Sequence, residues 1–169
     1  EGAKLGHFQP FGILHCNMTS IPDQFLPIRD DPVSRAGAYS RWLNSRLNVR
    51  PEMADWLRET QSRAFSRTEM MGFLLQGIST EEDLKRALRR LRERVFARVM
   101  MRDLSGMADL SEVTRTLTEL AEVTVQVALD FHHRDLAGIH GEPVDSSGRP
   151  QQMIVVGMGK LGGGELNAS

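Results

Sequence analysis

The sequence predicts a mainly α-helical protein: a helical bundle that leads into the first strand, turn and helix of an α/β unit. Three observations carry this reading. Apolar residues recur at helical spacing from Asp31 to Phe131, as in helices with one buried face. Capping residues precede the successive periodic stretches, and glycines follow several of them. At residue 153 the pattern changes to an unbroken apolar run, "MIVV", and then to a glycine-rich one, "GMGKLGGG". A short apolar, β-branched run of this kind fits a buried strand.

Taken in order, Asp31 can cap and Pro32 can occupy the first turn of a helix through "VSRAGAYSRWLNSRL". Pro51 opens a second helix, "PEMADWLRETQ", with Trp56 and Leu57 as core residues. Ser66 and Glu69 have capping-box spacing ahead of "MMGFLLQ", which stops at Gly77. Ser79 and Glu82 repeat that spacing and open a long basic helix running to about Leu104, before Gly106. A further helix starts near Asp109 or Ser111 and ends at Gly138. Its residues Val113, Leu117, Leu120, Ala121, Ala128 and Phe131 fall mainly on one face. "GIHGEPVDSSGRPQQ" has turn-forming density and is a loop. The expected organisation is a poorly ordered or non-native segment over residues 1–30, a helical domain over 31–138 and a loop over 139–152. Residues 153–169 then begin a second domain. Met18 reads as a natural start, which marks residues 1–17 as non-native or upstream sequence.

Composition narrows the function classes. Basic and acidic residues nearly cancel, 21 against 22, which gives the chain as a whole no electrostatic case for nucleic acid or an anionic membrane. No apolar run approaches the roughly 20 residues of a membrane span. The single cysteine, Cys16, makes no internal disulfide and fits a reducing, cytoplasmic setting.

Gly157, Gly159 and Gly162 spell G-x-G-x-x-G. A dinucleotide fingerprint needs a βαβ unit of about 30 residues and an acidic residue about 20 positions on. Seven residues follow Gly162, so that context is not supplied. A Walker A loop fails because Lys160 precedes Gly162, where that motif needs Gly-Lys-Ser/Thr. What remains is general: glycines after a strand let the backbone turn tightly and approach a phosphate. The competing reading is a turn that merely packs a helix on a sheet.

The run "VVGMGKLGGGELNAS", behind an arginine-rich helix and a long apolar one, resembles the glutamine-synthetase adenylyltransferase family, in its N-terminal adenylyl-removing domain. In that family the run is "GMGKLGG.ELN.SSDIDL", the entry to a nucleotidyltransferase fold related to DNA polymerase beta. The likeness is tight over Gly157 to Ser169 and looser back to about Arg35, through "PEMADWL" and "LRRLRERVFARVMMRDL"; it leaves out residues 1–30. The resemblance implies a bifunctional, ATP-using regulator of glutamine synthetase. One domain transfers AMP from ATP to a tyrosine of the synthetase, and the domain begun here removes it by phosphorolysis, giving ADP. PII signal proteins and glutamine tune the two activities. Carried over residue by residue, Gly157, Gly159 and Gly162 shape the turn beneath the nucleotide phosphates. Lys160 is a phosphate contact, and Ser169 is the first of the two serines before the aspartates. The family's Ser-Asp-x-Asp carboxylates hold Mg²⁺; residues 1–169 include neither aspartate. Half a motif is present, and the 169-residue polypeptide is expected to be inactive alone.

Arg98 and Arg102 pose a separate question. With Leu84 as zero and 100° per residue, Leu88, Leu91, Val95 and Val99 lie within about 60°. Lys85, Arg86, Arg89, Arg90 and Arg94 lie off that stripe, as a solvated face does. Arg98 and Arg102 fall on it, where an unpaired guanidinium is costly. Each therefore pairs with a carboxylate of a neighbouring helix or faces the phosphate site. His132, His133 and His140 lack the i, i+4 spacing of a helical metal site, and no metal ligands are expected here. Two other readings stay open: a non-catalytic helical interaction module, and part of a Rossmann dinucleotide-binding protein. Asp-x-Asp within a few residues of Ser169 separates the transferase from the Rossmann reading.

Overall fold

The Asp31 carboxylate accepts hydrogen bonds from the Val33 and Ser34 amides (3.4 and 3.3 Å) and starts helix α1, Pro32–Tyr39, with Pro32 in its first turn. The computed structural model describes residues 31–75 and 77–167; expectations for residues 1–30 lie outside it. Six further helices follow among the described residues: α2 Arg41–Val49, α3 Pro51–Thr60, α4 Arg67–Leu74, α5 Glu81–Leu104, α6 Leu110–His140 and the single turn α7 Gly159–Gly162.

Three boundaries differ from the sequence reading. The first expected helix is two, broken at Ser40. Its backbone is extended (φ −119°), its N–H still closes α1 on Ala36, and its hydroxyl accepts from Leu43 N–H at 3.2 Å to start α2. The capping box of α5 is Thr80–Asp83, one residue beyond Ser79–Glu82: Asp83 N–H donates to Thr80 Oγ1 at 3.1 Å and Asp83 Oδ2 accepts from Thr80 N–H at 3.2 Å. Finally, α6 passes through Gly138 and ends at His140, followed by Gly141, whose φ of +83° with ψ of 167° is a conformation open essentially to glycine alone. An interior glycine costs about 1 kcal/mol and does not by itself end a helix that packing supports.

Helix α5 is the spine. Its Leu91, Val95 and Val99 pack with Phe65, Met70 and Leu74 near α4 and with Leu117, Leu120 and Val123 of α6. Its Ala97 and Met101 pack with Val33 and Ala36 of α1, Leu43 of α2, and Met53 and Leu57 of α3. Trp56, half-buried, touches both clusters. At 100° per residue, Arg98 projects onto the seam between these two faces of α5, and Arg102 onto the face of Leu91 and Val95. Both are buried, Arg98 completely.

Cover thins towards the C-terminal half of α6, where Leu136 and Ile139 are exposed and Ala128 and Phe131 only half-buried. The loop beyond is closed by Asp145, which accepts from the Ser147 and Arg149 amides (2.8 and 3.0 Å), and by an isolated antiparallel bridge between Val144 and Pro150. The expected strand "MIVV" is absent: residues 153–156 form no ladder, and Ile154 is 82% exposed. The physical reason is that no second strand among the described residues offers its backbone groups a partner.

Candidate functional site

The glycines form one compact turn. Gly159 has φ +58° and Gly164 φ +71°, conformations that favour residues without a Cβ. Gly162 is required for a different reason. A Cβ there would stand 2.5 Å from the Gly157 carbonyl oxygen, so the first and third glycines of G-x-G-x-x-G are in close backbone contact. Internal bonds close the turn: Gly163 N–H donates to Gly159 O at 2.9 Å and Glu165 N–H to Lys160 O at 2.7 Å. Met158, the residue before α7, provides no side-chain cap. The Lys160 side chain is exposed and donates to Asn167 Oδ1 at 3.4 Å. Ser169 lies outside the described residues.

The bundle anchors this turn through the residue Leu166 that follows it. Leu166 packs beside Leu88 of α5 and Leu117, Leu120 and Ala121 of α6, and its N–H donates to the buried Thr118 Oγ1 at 3.3 Å. That anchor was not foreseen. The signal available was an apolar residue placed directly after a glycine-rich turn, beside an α6 whose apolar face had spare area.

Arg98 and Arg102 are engaged elsewhere. Arg98 Nη1 and Nη2 each donate to Glu69 at 3.0 Å, and the guanidinium lies over Trp56 and Phe65, 4.6 and 4.3 Å from their centroids. Burial draws its pKa down, and Glu69 opposes this. Arg102 donates to both Glu112 oxygens (2.6 and 2.9 Å) and to the carbonyls of Gln61 and Met107. Its pKa is raised, chiefly by the Glu112 hydrogen bonds. Both arginines thus meet carboxylates, and neither reaches the glycine turn. His133 bonds Glu142 at 3.0 Å, and no group of three or more His, Cys, Asp and Glu side chains among the described residues is placed to hold a metal ion. No helix among the described residues is long and apolar enough to cross a membrane.

Residues 32–169 match the glutamate-ammonia ligase adenylyltransferase family. The chain belongs to that family. It is similar to the bifunctional glutamine synthetase adenylyltransferase/adenylyl-removing enzyme of Nitrosomonas eutropha, 46% identical over 143 residues, which is 81% of this chain and 15% of that enzyme. The like-named enzyme of Nitrosomonas europaea is 43% identical over 78% of this chain and 15% of its own length. That of Chromobacterium violaceum is 42% identical over 81% and 15%. The chain therefore spans about 15% of the length of these adenylyltransferase relatives. No solved structure matches it.

Proposed function

We propose that this chain is the entry to the adenylyl-removing half of a cytoplasmic enzyme that controls glutamine synthetase. An oxygen of orthophosphate attacks the phosphorus of the tyrosyl-AMP diester, the bond from phosphorus to the tyrosine oxygen breaks, and the phenolate takes up a proton. The products are ADP and unmodified synthetase. The partner half transfers AMP from ATP to the same tyrosine, and PII protein and glutamine set the balance. Family membership across both the helices and the glycine turn carries this reading.

In it, the close contact of Gly157 and Gly162 keeps the turn free of side chains where a phosphate approaches, and Lys160 supplies a positive charge. Orthophosphate as the attacking group needs positioning and charge neutralisation rather than a protein nucleophile, so no covalent enzyme intermediate forms. Mg²⁺ is the cofactor this family implies, and it neutralises phosphate charge when bound. The residues described do not fit it: Glu165 follows the turn as an exposed carboxylate, and no metal-holding group includes it.

The test uses the natural full-length protein with adenylylated glutamine synthetase, phosphate and Mg²⁺. Phosphate-dependent ADP release is expected, and it falls in the Lys160→Met variant. Release of AMP, or release that ignores phosphate, overturns the reading. Residues 1–169 alone are expected to release none.

A further inference from the structure

Between α2 and α5 lies an open groove of about 750 Å³ whose charge is one-sided. Arg46 and Arg50 enter it from the end of α2, and Arg86, Arg89, Arg90 and Arg92 from α5. Glu93 is the one carboxylate among its lining residues, while the whole sequence carries 21 basic and 22 acidic side chains. The local excess is thus a matter of placement and not of composition. Trp42 and Phe96 add aromatic surface to the lining.

Internal structure does not use up this charge. Glu93 holds Arg46 (3.5 Å) and Arg50, Arg86 shares Asp83 at 3.4 Å, and Arg92 lies over Phe96, 4.9 Å from its centroid. Arg89 and Arg90 have no carboxylate partner among the described residues. Like charges on adjacent helical turns repel, so the arrangement is unfavourable until an anion enters. This differs from Arg98 and Arg102, each of which has its own carboxylate.

We propose that this groove binds a small ligand carrying two or more phosphate groups, at a site separate from the glycine turn. Forked guanidinium donors on both walls suit adjacent phosphates better than a single ion. The volume lies within the roughly 300–1,000 Å³ of small-molecule sites, whereas a stable protein partner covers about 800 Å² of each surface. None of residues 157–164 lines the groove. The inference rests on the groove alone and stands or falls independently of adenylyl removal.

Titration calorimetry of residues 1–169 with inorganic triphosphate tests it. Saturable binding is expected, weaker at high ionic strength as charged contacts are screened. Arg89→Glu with Arg90→Glu, both at exposed positions, lowers affinity at least tenfold, whereas Arg134→Glu on α6 leaves it unchanged. Glu93→Gln removes the competing carboxylate and raises affinity severalfold, an arm that survives if the double variant misfolds. Absence of saturable binding overturns the proposal, as does equal loss in the Arg134 variant. Orthophosphate binding as tightly as triphosphate overturns the multi-phosphate ligand. Tighter binding of oligoglutamate overturns it in favour of an acidic polypeptide.

Discussion

Glu69 and Arg98 join α4 to α5 through two parallel hydrogen bonds, both 3.0 Å, with the arginine completely buried. Glu69 stands three residues after Ser66, whose hydroxyl accepts the Glu69 N–H at 3.2 Å. Capping-box spacing leads one to expect its carboxylate back at Ser66. The carboxylate goes instead to the cation in the core, so a residue that opens one helix also fastens the next. The two partners are not equivalent. Glu69 keeps 26% of its side chain exposed and has Arg63 at 3.7 Å, whereas Arg98 is cut off from water and its Nε has no acceptor.

That asymmetry predicts unequal costs. Glu69→Met strands a buried guanidinium and should destabilise by about 3–5 kcal/mol, the usual loss when one partner of a buried pair is removed. Arg98→Met keeps much of the apolar stem and leaves a carboxylate that reaches water and Arg63, so its cost should be smaller, roughly 1–3 kcal/mol. The double variant should cost less than the sum. Urea denaturation of residues 1–169 measures all three. Equal losses for the two single variants would show that water reaches Arg98.

A second prediction concerns acid. Hydrogen bonds from Arg58 and then from Ser34 hold Asp31 at about 2, below its ordinary 3.8, against the opposing effect of burial. The folded value is the lower one, so the stabilisation is complete above about 3.8 and is lost as pH falls towards 2. Both partners are partly exposed, which limits the contribution to about 1 kcal/mol. Asp31→Asn should flatten stability across that window while keeping the α1 cap, because asparagine caps about as well as aspartate. An acid unfolding curve of unchanged shape in the variant would rule out this linkage.

Amide hydrogen exchange reads the segment before the glycines. Met153 to Val156 make no ladder and stand open to solvent, so Ile154 and Val155 should exchange far faster than Leu91 or Val95 in α5. Added protection there would mean that these residues find a strand partner in another molecule.

How much of this was legible depended on whether local chemistry decided the matter. Asp31 with Pro32, and Ser66 with Glu69, marked helix starts because a cap is satisfied within three residues. The stripe position of Arg98 and Arg102 required a partner, since a lone buried charge is so costly, but sequence spacing did not identify Glu69 and Glu112 among many acids. The break at Ser40 was hidden because helical periodicity continues across it; α1 and α2 come close enough that a Cβ added at Gly37 would meet Leu47 Cδ1 at 3.4 Å. "MIVV" misled for the opposite reason. Its apolar, β-branched character is a preference for burial, and a strand needs a second strand that local sequence does not supply. The arginine groove was read as a solvated face because Arg46 and Arg50 reach it from another helix.

The sharpest test of the turn compares two adjacent glycines. At Gly162 an added Cβ meets the Gly157 carbonyl oxygen at 2.5 Å, a backbone contact that no rotamer change relieves. At Gly163 the nearest atom is the Gly159 oxygen at 3.4 Å, an ordinary contact. Gly162→Ala should therefore force Gly157 and Gly162 apart and pull on the anchor where Leu166 N–H meets Thr118 Oγ1. Gly163→Ala should leave both in place and, by stiffening the unfolded chain, cost little or nothing. The Leu166 and Thr118 resonances, followed by NMR in residues 1–169, should shift or broaden in the first variant only. In the full-length protein, adenylyl removal should fall steeply in Gly162→Ala and survive in Gly163→Ala. Equal tolerance at both positions would mean that the turn opens without consequence and that the contact between Gly157 and Gly162 has no part in binding phosphate.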